Sequence, residues 1–480
     1  MYFAFFFDLF LLMKHFTLFS LLIICSFSLR AQVLKTNQPL LDSAFQLAVW
    51  TIDHNTHNGL IEAGGGYGGE WTRDCAINCW NAVSFLRPEI AANSLWSVTE
   101  DSLTIGHQYW DKIIWTIAAW THYWCTRDTD FLSKAYVCAA NTMHALEDTC
   151  FDQKYGLFMG PAVFQDGIAG YDEPVYDPAI WDDSFVLHHP NSRTIKCLST
   201  NAVYYQSYRI LSSMGRLLGD SENAFAYMEK ADRLEENIRH HFYRKDENKF
   251  YYLIDHTGKK HDYQEGLGLA FVLLFDMLSP EESEHLIKTT FVTDNGIPCV
   301  YPSFPRNTAD KPGRHNMMIW PHVNMLYASG CARQQQYDPF YKEMEILARL
   351  AMQNGKGDFY EIYTIDGIPS GGYQCGALWD EKEHQTWCAT GYLRLFLNHV
   401  FGITPLAEEG LHLNPIGMKD GSQCQIRDLK YKDMNLTITV NGHTDNPSHS
   451  KIRCKINGKR STPHISNKLK GDVDVKIWVK

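Results

Sequence analysis

The sequence predicts a mainly α-helical protein, a closed toroid of helical hairpins followed by a small β module. Three observations carry the prediction: helix-period apolar stripes over about residues 38–400, long connectors between paired helices, and a switch to period-two alternation after Gly402. Trp110, Ile113, Ile114, Ile117 and Ala118 form one stripe at i, i+3, i+4, i+7 and i+8, and Met228, Ala231, Leu234 and Ile238 form another. Helices are expected near 38–54, 74–86, 108–125, 131–148, 197–217, 221–242, 262–277, 280–290, 314–330, 337–353 and 383–400, with a further one at 88–98. They follow one another in pairs without a sequence repeat, which suits hairpins closed into a ring; an irregular helical bundle is the alternative. After Gly402, segments such as Leu436-Thr-Ile-Thr-Val and Val473-Asp-Val-Lys-Ile-Trp-Val alternate apolar and polar residues. Asn441-Gly442 and Asn457-Gly458 are hairpin turns. The expected division is a leader over 1–31, a helical domain over 32–402 and a β module over 403–480, with no chemistry in the last.

The chain has 480 residues, 45% of them hydrophobic, 13% aromatic and 21% charged, the composition of a globular protein with a heavy aromatic load. Leu18 to Phe27 is an apolar run behind Lys14, and the sequence Ser-Leu-Arg-Ala ends at Ala31, the pattern of an export signal cleaved after that residue. Met13 is the expected true start, and Cys25 a weaker alternative as a lipid-anchored cysteine. An exported protein, periplasmic or extracellular, is expected, and no later apolar run of about 18 residues suggests a membrane span. The formal net charge is −11, and removing one Asp, one Lys and one Arg with the leader makes the remainder one unit more negative, which disfavours a nucleic-acid partner. Twelve cysteines remain, scattered through helix-like segments, and Cys75 and Cys79 read as buried thiols before they read as a bridge or metal site. The histidine pairs 188–189 and 240–241 have the same ordinary reading. No cofactor is expected, and calcium is not excluded.

The unusual chemistry lies in the connectors 55–73, 149–196, 293–313 and 354–382, each longer than most structural loops. In the first, Gly64-Gly-Gly-Tyr-Gly-Gly-Glu-Trp-Thr-Arg-Asp lacks the Gly-Lys-Ser/Thr end of a phosphate loop. Trp71, Arg73 and Asp74 instead place an aromatic face, a guanidinium and a carboxylate within four residues, a set that can grip sugar hydroxyls or form a buried ion pair. In the second connector, Trp181-Asp182-Asp183 sets two carboxylates beside an apolar face, a setting that raises one carboxyl pKa and suits a general acid; a turn-capping role is the alternative. Asp166 in Phe164-Gln-Asp-Gly is its rival. In the fourth, Glu361 sits between Tyr360 and Tyr363. Trp110, Trp181, Trp320, Trp379 and Trp387 fall at helix ends or in loops, where flat faces are available to stack on a ring.

These residues resemble the helical-toroid glycosidases, the (α/α)6 superfamily that includes glucoamylases, processing α-glucosidase, trehalase and mannosylglycerate hydrolase. Trp71-Thr-Arg-Asp74 is similar to the Trp-x-Arg-Asp motif that holds a terminal sugar. Trp181-Asp-Asp resembles the site of the general acid, ahead of a helix containing Thr200-Asn201-Ala202. Phe359-Tyr-Glu-Ile-Tyr, with Thr386-Trp-Cys-Ala-Thr-Gly-Tyr-Leu after it, is similar to the segment of the general base. Asn316-Met-Met-Ile-Trp-Pro-His-Val-Asn resembles a substrate-side helix start, and the β tail resembles caps on bacterial relatives. The segment Tyr171-Asp-Glu-Pro-Val-Tyr matches none of these patterns. The resemblance implies an exo-acting, inverting glycoside hydrolase releasing a terminal sugar from an oligosaccharide or other glycoside. Asp182 would be its general acid, with Asp183 and then Asp166 as alternatives, and Glu361 its general base. Trp71, Arg73 and Asp74 would position the sugar, with Gln108, Trp110, Asp166, Trp181, Asp183, Arg314, Trp320 and Trp387 as further contacts. A phosphorylase, an unsaturated-uronide hydrolase or lyase, and a noncatalytic glycan-binding protein are the other readings. Glu361 argues against the phosphorylase, which would replace the base with a phosphate pocket.

Overall fold

The computed structural model describes residues 32–69, 71–106, 110–353, 357–406, 410–447 and 450–480. The proposed leader and Gln108 lie outside the described residues. Helices dominate as far as residue 400: α1 (Pro39–His54), α2 (Thr72–Asn78), α3 (Pro88–Ser97), α4 (Trp115–Thr126), α5 (Thr129–Cys150), α6 (Leu198–Leu218), α7 (Ser221–Phe242), α8 (Gly266–Leu274), α9 (Pro280–Thr289), α10 (Pro321–Arg333), α11 (Tyr337–Met352) and α12 (Thr386–Arg394). Helical turns continue α2 through Ser84–Leu86 and α12 through Leu395–Val400.

Local chemistry sets the starts. Ser279 accepts from the backbone N–H of Glu282 while the Glu282 carboxylate accepts from the Ser279 N–H, a reciprocal cap, and Pro280 supplies a helical φ where no N–H is needed. Asp128 and Asp220 cap α5 and α7 in the simpler way. The expected helix over 314–330 begins at Pro321 instead. A residue before proline is driven out of the α region, and Trp320 is extended at φ −119° and ψ 102°. The stretch Arg314–Ile319 is thereby left free to face the cavity described below. The expected helix over 262–277 is shortened to Gly266–Leu274, because Gln264–Glu265 pairs with Val300–Tyr301 as a two-residue ribbon.

Helices pack on one another in sequence order or one step beyond it, α6 on α7, α8 on α10 and α10 on α11, and the first described helix, α1, packs on both α11 and α12. One continuous apolar core runs from Phe45 and Val49 on α1 through Leu211, Phe271, Leu326 and Leu347 to Leu393 and Phe396. A second cluster, with Trp110, Tyr171, Val175, Val186, Tyr252 and Phe304, lies beneath the 149–196 connector and holds that long loop in place.

The C-terminal strands form two sheets. With β1 (Val33–Lys35), β2 (Ile403–Leu406), β3 (Gly410–Leu413), β4 (Cys424–Tyr431), β5 (Met434–Asn441), β6 (Arg453–Ile456), β7 (Lys459–Ser461), β8 (His464–Ser466) and β9 (Gly471–Trp478), the larger sheet has the order β1-β4-β5-β9-β6-β7 and the smaller β2-β3-β8. The N-terminal strand β1 pairs antiparallel with β4, so the chain before α1 is stitched onto the C-terminal sheet. Phe85 stacks on Tyr431 at 5.7 Å between ring centroids, and Leu429, Leu436 and Ile438 join the main core, so the sheet packs on the helices. All twelve cysteines among the described residues are free thiols, most of them buried, Cys75 and Cys79 included. None of the described helices is long and apolar enough to cross a membrane.

Glu265 is fully buried just ahead of α8, and its carboxyl accepts from the Ser199 N–H, one of the orphan donors in the first turn of α6. Burial raises its pKa to about 8 against the weaker opposing pull of those Ser199 hydrogen bonds. A carboxyl whose folded pKa lies above its unfolded value stabilises the fold most when both states are protonated, and that contribution is lost as pH rises toward the folded pKa. Thermal unfolding followed from pH 5 to pH 9 should show the wild type losing stability relative to Glu265→Gln, by on the order of 3 kcal/mol across the range; parallel curves would contradict the buried neutral carboxyl.

Candidate active site

The connectors converge on a small cavity of about 90 Å³ lined by Ala63, Tyr67, Trp71, Arg73, Asp74, Phe164, Asp166, Arg314, His315, Trp320, Glu361 and Trp387. The glycine loop reaches it by lying flat on the segment before α12. A Cβ on Gly64 would stand 2.5 Å from the His384 carbonyl oxygen and one on Gly65 2.6 Å from that of Glu383, while the Gly65 N–H donates to Glu383 O at 3.0 Å. Close backbone approach explains these glycines, which swing Tyr67 over the cavity and deliver Trp71, Arg73 and Asp74 at the start of α2.

Two buried arginines organise the carboxylates. Arg73 donates from Nη2 to Asp166 at 2.8 Å, and its Nη1 stands 3.7 Å from Asp111, which is fully buried and also accepts from the Phe164 N–H. Arg314 donates from Nη2 to Glu361 at 3.0 Å and from Nη1 to the Gly371 carbonyl at 3.0 Å. Tyr67 donates its hydroxyl to the same Glu361 oxygen at 2.9 Å. Burial opposes the charge on both guanidiniums, yet the carboxylates around them hold each firmly protonated. Burial, with the negative charge of Glu361 added, drives the Tyr67 phenol far above its ordinary range, so it remains a donor.

The carboxyls are not alike. Burial, the largest single effect, favours the neutral form of Asp166, but Arg73 with its hydrogen bond and the further charge of Arg314 together outweigh it and hold the group below the usual carboxylate range. Asp74 makes no ion pair within 4.0 Å among the described residues. Burial, reinforced by Glu361 and Asp166 and only partly opposed by Arg73, raises it to about 7. Asp74 is therefore the carboxyl of the set that burial favours in its protonated form. Asp166 is the open member, with 36% of its side chain accessible, whereas Asp74 and Glu361 are 7% and 5% exposed.

Aromatic walls complete the cavity. Trp320 meets Trp387 edge to face, His315 stacks on Trp320 at 4.4 Å and His322 on Trp387 at 4.6 Å. Burial lowers His315 to about 3, so it is a neutral ring. Both its nitrogens, and the indole N–H groups of Trp320 and Trp387, have no hydrogen-bond partner among the described residues. Phe164 and His315, both lining the cavity, hold left-handed backbone at φ 63°.

Of the residues expected from sequence, Trp71, Arg73, Asp74, Asp166, Arg314, Trp320, Glu361 and Trp387 meet in this cavity. Asp182, the first choice of general acid, does not: it is exposed, and it is absent from the cavity lining. The bridge between Gly167 and Phe185 pins both ends of an excursion whose turn, residues 178–183, is pushed outward. Asp183 accepts from the Phe185 N–H and contacts His188, a turn-capping role. Trp181 is 54% exposed, and Trp110 packs in the cluster beneath the connector. Tyr67, Phe164 and His315 were not anticipated. Tyr67 was visible as the one aromatic residue within the glycine run, whereas His315 was concealed in an expected helix. The unmatched segment after Asp166 has a structural part, since Tyr171 donates its hydroxyl to the Gln165 carbonyl at 2.7 Å and Asp172 accepts from Tyr263 at 2.9 Å. Asp358, Glu383 and His384 bring three possible metal-ligand atoms within 4.8 Å of one another. Asp358 already accepts from the His384 N–H and ring, which accounts for the group as a loop anchor.

Comparison with known proteins follows the same lines. A family model described as the mannosylglycerate hydrolase MGH1-like glycoside hydrolase domain matches residues 81–388. No curated protein matches the chain. Among solved structures, a sialidase aligns with a TM-score of 0.66 at 15% identity, over 92% of this chain and 42% of its own, so the chain spans about two fifths of that protein. The GH63 mannosylglycerate hydrolase of Thermus thermophilus, solved with Tris, aligns with a TM-score of 0.56 at 15% identity over 74% of this chain and 100% of its own. The neutral trehalase of Saccharomyces cerevisiae gives 0.51 at 9% identity, over 70% and 73%. At such identities the likeness is one of fold. The family match covers more than half of the sequence and contains Asp166, Arg314 and Glu361, and on it the chain belongs to the MGH1-like glycoside hydrolases.

Proposed function

We propose that the protein is an exo-acting, inverting glycoside hydrolase that removes one terminal sugar at this cavity, with Glu361 as general base and Asp166 as general acid. The observation that carries the reading is the convergence of Asp74, Asp166 and Glu361, separated by 92 and 195 residues of sequence, in one cavity walled by indoles. Glycosidic hydrolysis needs one carboxyl group to protonate the leaving oxygen and another to activate water. Arg314 and Tyr67 hold Glu361 by one oxygen, an arrangement that suits an ionised base with its second oxygen free to take a proton from water. Burial raises Asp74 to about 7 while Arg73 helps to hold Asp166 low, and Asp166 is the member open to a leaving group, so in this reading the proton kept on Asp74 passes to Asp166 when substrate binds. The small, enclosed volume suits a single sugar ring, with its hydroxyls met by Arg73, His315 and the indole N–H groups. The same reading takes the helix pairs as a closed toroid over 32–402, residues 403–480 as a supporting β module, and residues 1–31 as an export signal.

Three outcomes are expected. Glu361→Gln should lower kcat about 10³-fold on any glycoside the wild type hydrolyses, the scale of a lost general base; retention of activity would contradict its role. Asp166→Asn should lose aryl and alkyl glycosides by a similar factor while largely keeping glycosyl fluorides, whose leaving group needs no proton, and Asp182→Asn should stay within about threefold of wild type. Exchanged behaviour of these two variants would transfer the acid to Asp182. The pH profile should fall on its alkaline side near pH 7, because a group raised to about 7 is protonated below that value and loses its proton above it. A kcat/KM that stays level to pH 9 would show that the proton on the Asp74 and Asp166 pair is not used.

A further inference from the structure

Two exposed indoles stand beside the cavity without a part in the reading above. Trp379 is 38% exposed, and the Arg314 guanidinium that binds Glu361 lies 5.5 Å from the centroid of its ring. Trp181 is 54% exposed, and its ring touches Gly376, 3.0 Å from where a Cβ would stand. Both belong to one small construction, the hairpin that pairs Tyr373–Gln374 with Ala377–Leu378, with Trp379 next after its outgoing strand and Gly376 in its turn. The hairpin is fixed to both catalytic loops. The Arg314 N–H donates to the Tyr373 carbonyl and the Trp379 N–H to the Gly372 carbonyl. Gly372 sits so close to Arg314 that a Cβ would come within 2.8 Å of its Cα. On the other side Gln374 accepts from the Ala169 N–H, in the loop that follows Asp166.

We propose that Trp379 and Trp181 form the stacking platform for the part of the substrate beyond the cleaved bond, so that the protein prefers a leaving group carrying a ring, a further sugar or an aryl group, over a short alkyl one. The inference rests on the cavity being the hydrolytic site. Three residues of extended chain separate Trp379 from Gly376, a span of about 10 Å that fits one or two rings. Indole faces left open to water at a polar site gain most by covering the flat apolar face of such a group. Continuity fixes the occupant: Arg314 links Glu361, inside the cavity, to Trp379, outside it, and a glycoside with its terminal sugar inside must send its remaining portion out past the same hairpin.

The test compares p-nitrophenyl glycosides, methyl glycosides and glycosyl fluorides of the same sugars, with wild type, Trp379→Ala, Trp181→Ala and the conservative Trp379→Tyr. Each alanine variant should lose about 5- to 20-fold in kcat/KM on the aryl glycoside, mostly through KM, and less than about twofold on the fluoride, with Trp379→Tyr restoring most of the loss. Equal losses on all three leaving groups, or none on the aryl glycoside, would overturn the platform. Binding of the same aryl and methyl glycosides to Glu361→Gln, followed by tryptophan fluorescence, separates the two readings. An aryl preference that depends on Trp379, found in a protein whose wild type hydrolyses nothing, would uphold the platform and sink the hydrolase. Equal affinities, or no binding of either, would overturn the platform even if hydrolysis is observed.

Discussion

Two guanidinium groups taken out of water determine what this cavity can be. A buried arginine demands anionic partners, because leaving it unpaired costs several kcal/mol. Arg73 meets that demand with Asp111 and Asp166, and Arg314 with Glu361. The same pairs tie the start of α2 to the connector after α5, and the stretch before α10 to the loop before α12, alongside the backbone contacts between those loops. Removing either arginine would leave carboxylates buried without a counter-charge, so the pairs serve the fold and the chemistry at once.

The surplus of carboxyls over arginines has a chemical consequence. With Asp111 set behind Arg73, the groups that face the cavity cannot all ionise cheaply, and the burden falls on Asp74, which feels the charges of Asp166 and Glu361 and makes no ion pair among the described residues. Burial raises Asp74 to about 7, where ordinary carboxylates have lost their protons, while Glu361 is tied to Arg314 and Tyr67. The proposed division between an acid and a base rests on this unequal placement of carboxyls around two arginines. The stacked His315, Trp320, His322 and Trp387 wall this arrangement with apolar faces, which strengthens its local interactions.

Much of this was legible in the sequence where chemistry is local. The apolar periodicity located nearly every helix, because amphipathic stripes such as Phe340, Met344, Leu347 and Ala351 on α11 are imposed by burial on one face. Trp71, Arg73 and Asp74 were readable as a site because a single helix start presents all three. Glu361 stood out by its aromatic company. The choice between Asp166 and Asp182 was hidden, since the connector after α5 has no periodicity to tell which of its residues turns inward; the bridge from Gly167 to Phe185 and the anchoring of Gln165 by Tyr171 decide it through contacts distant in sequence. The same limit concealed the pairing of β1 with β4, a strand of three residues whose partner lies nearly 400 positions away. The expected helix over 314–330 overran because its apolar pattern continued across Pro321, and the backbone rule for the residue before proline prevailed over the pattern.

The most direct measurement is a crystal structure of Glu361→Gln with an uncleaved glycoside bound. The terminal sugar should fill the cavity between Trp320 and Trp387, the glycosidic oxygen should lie within hydrogen-bond distance of Asp166, and the carboxyl of Asp166 and the carboxamide of residue 361 should stand about 6.5–9.5 Å apart with a water on the far side of the sugar. A sugar bound elsewhere, or a glycosidic oxygen whose nearest carboxyl is Asp182, would contradict the account.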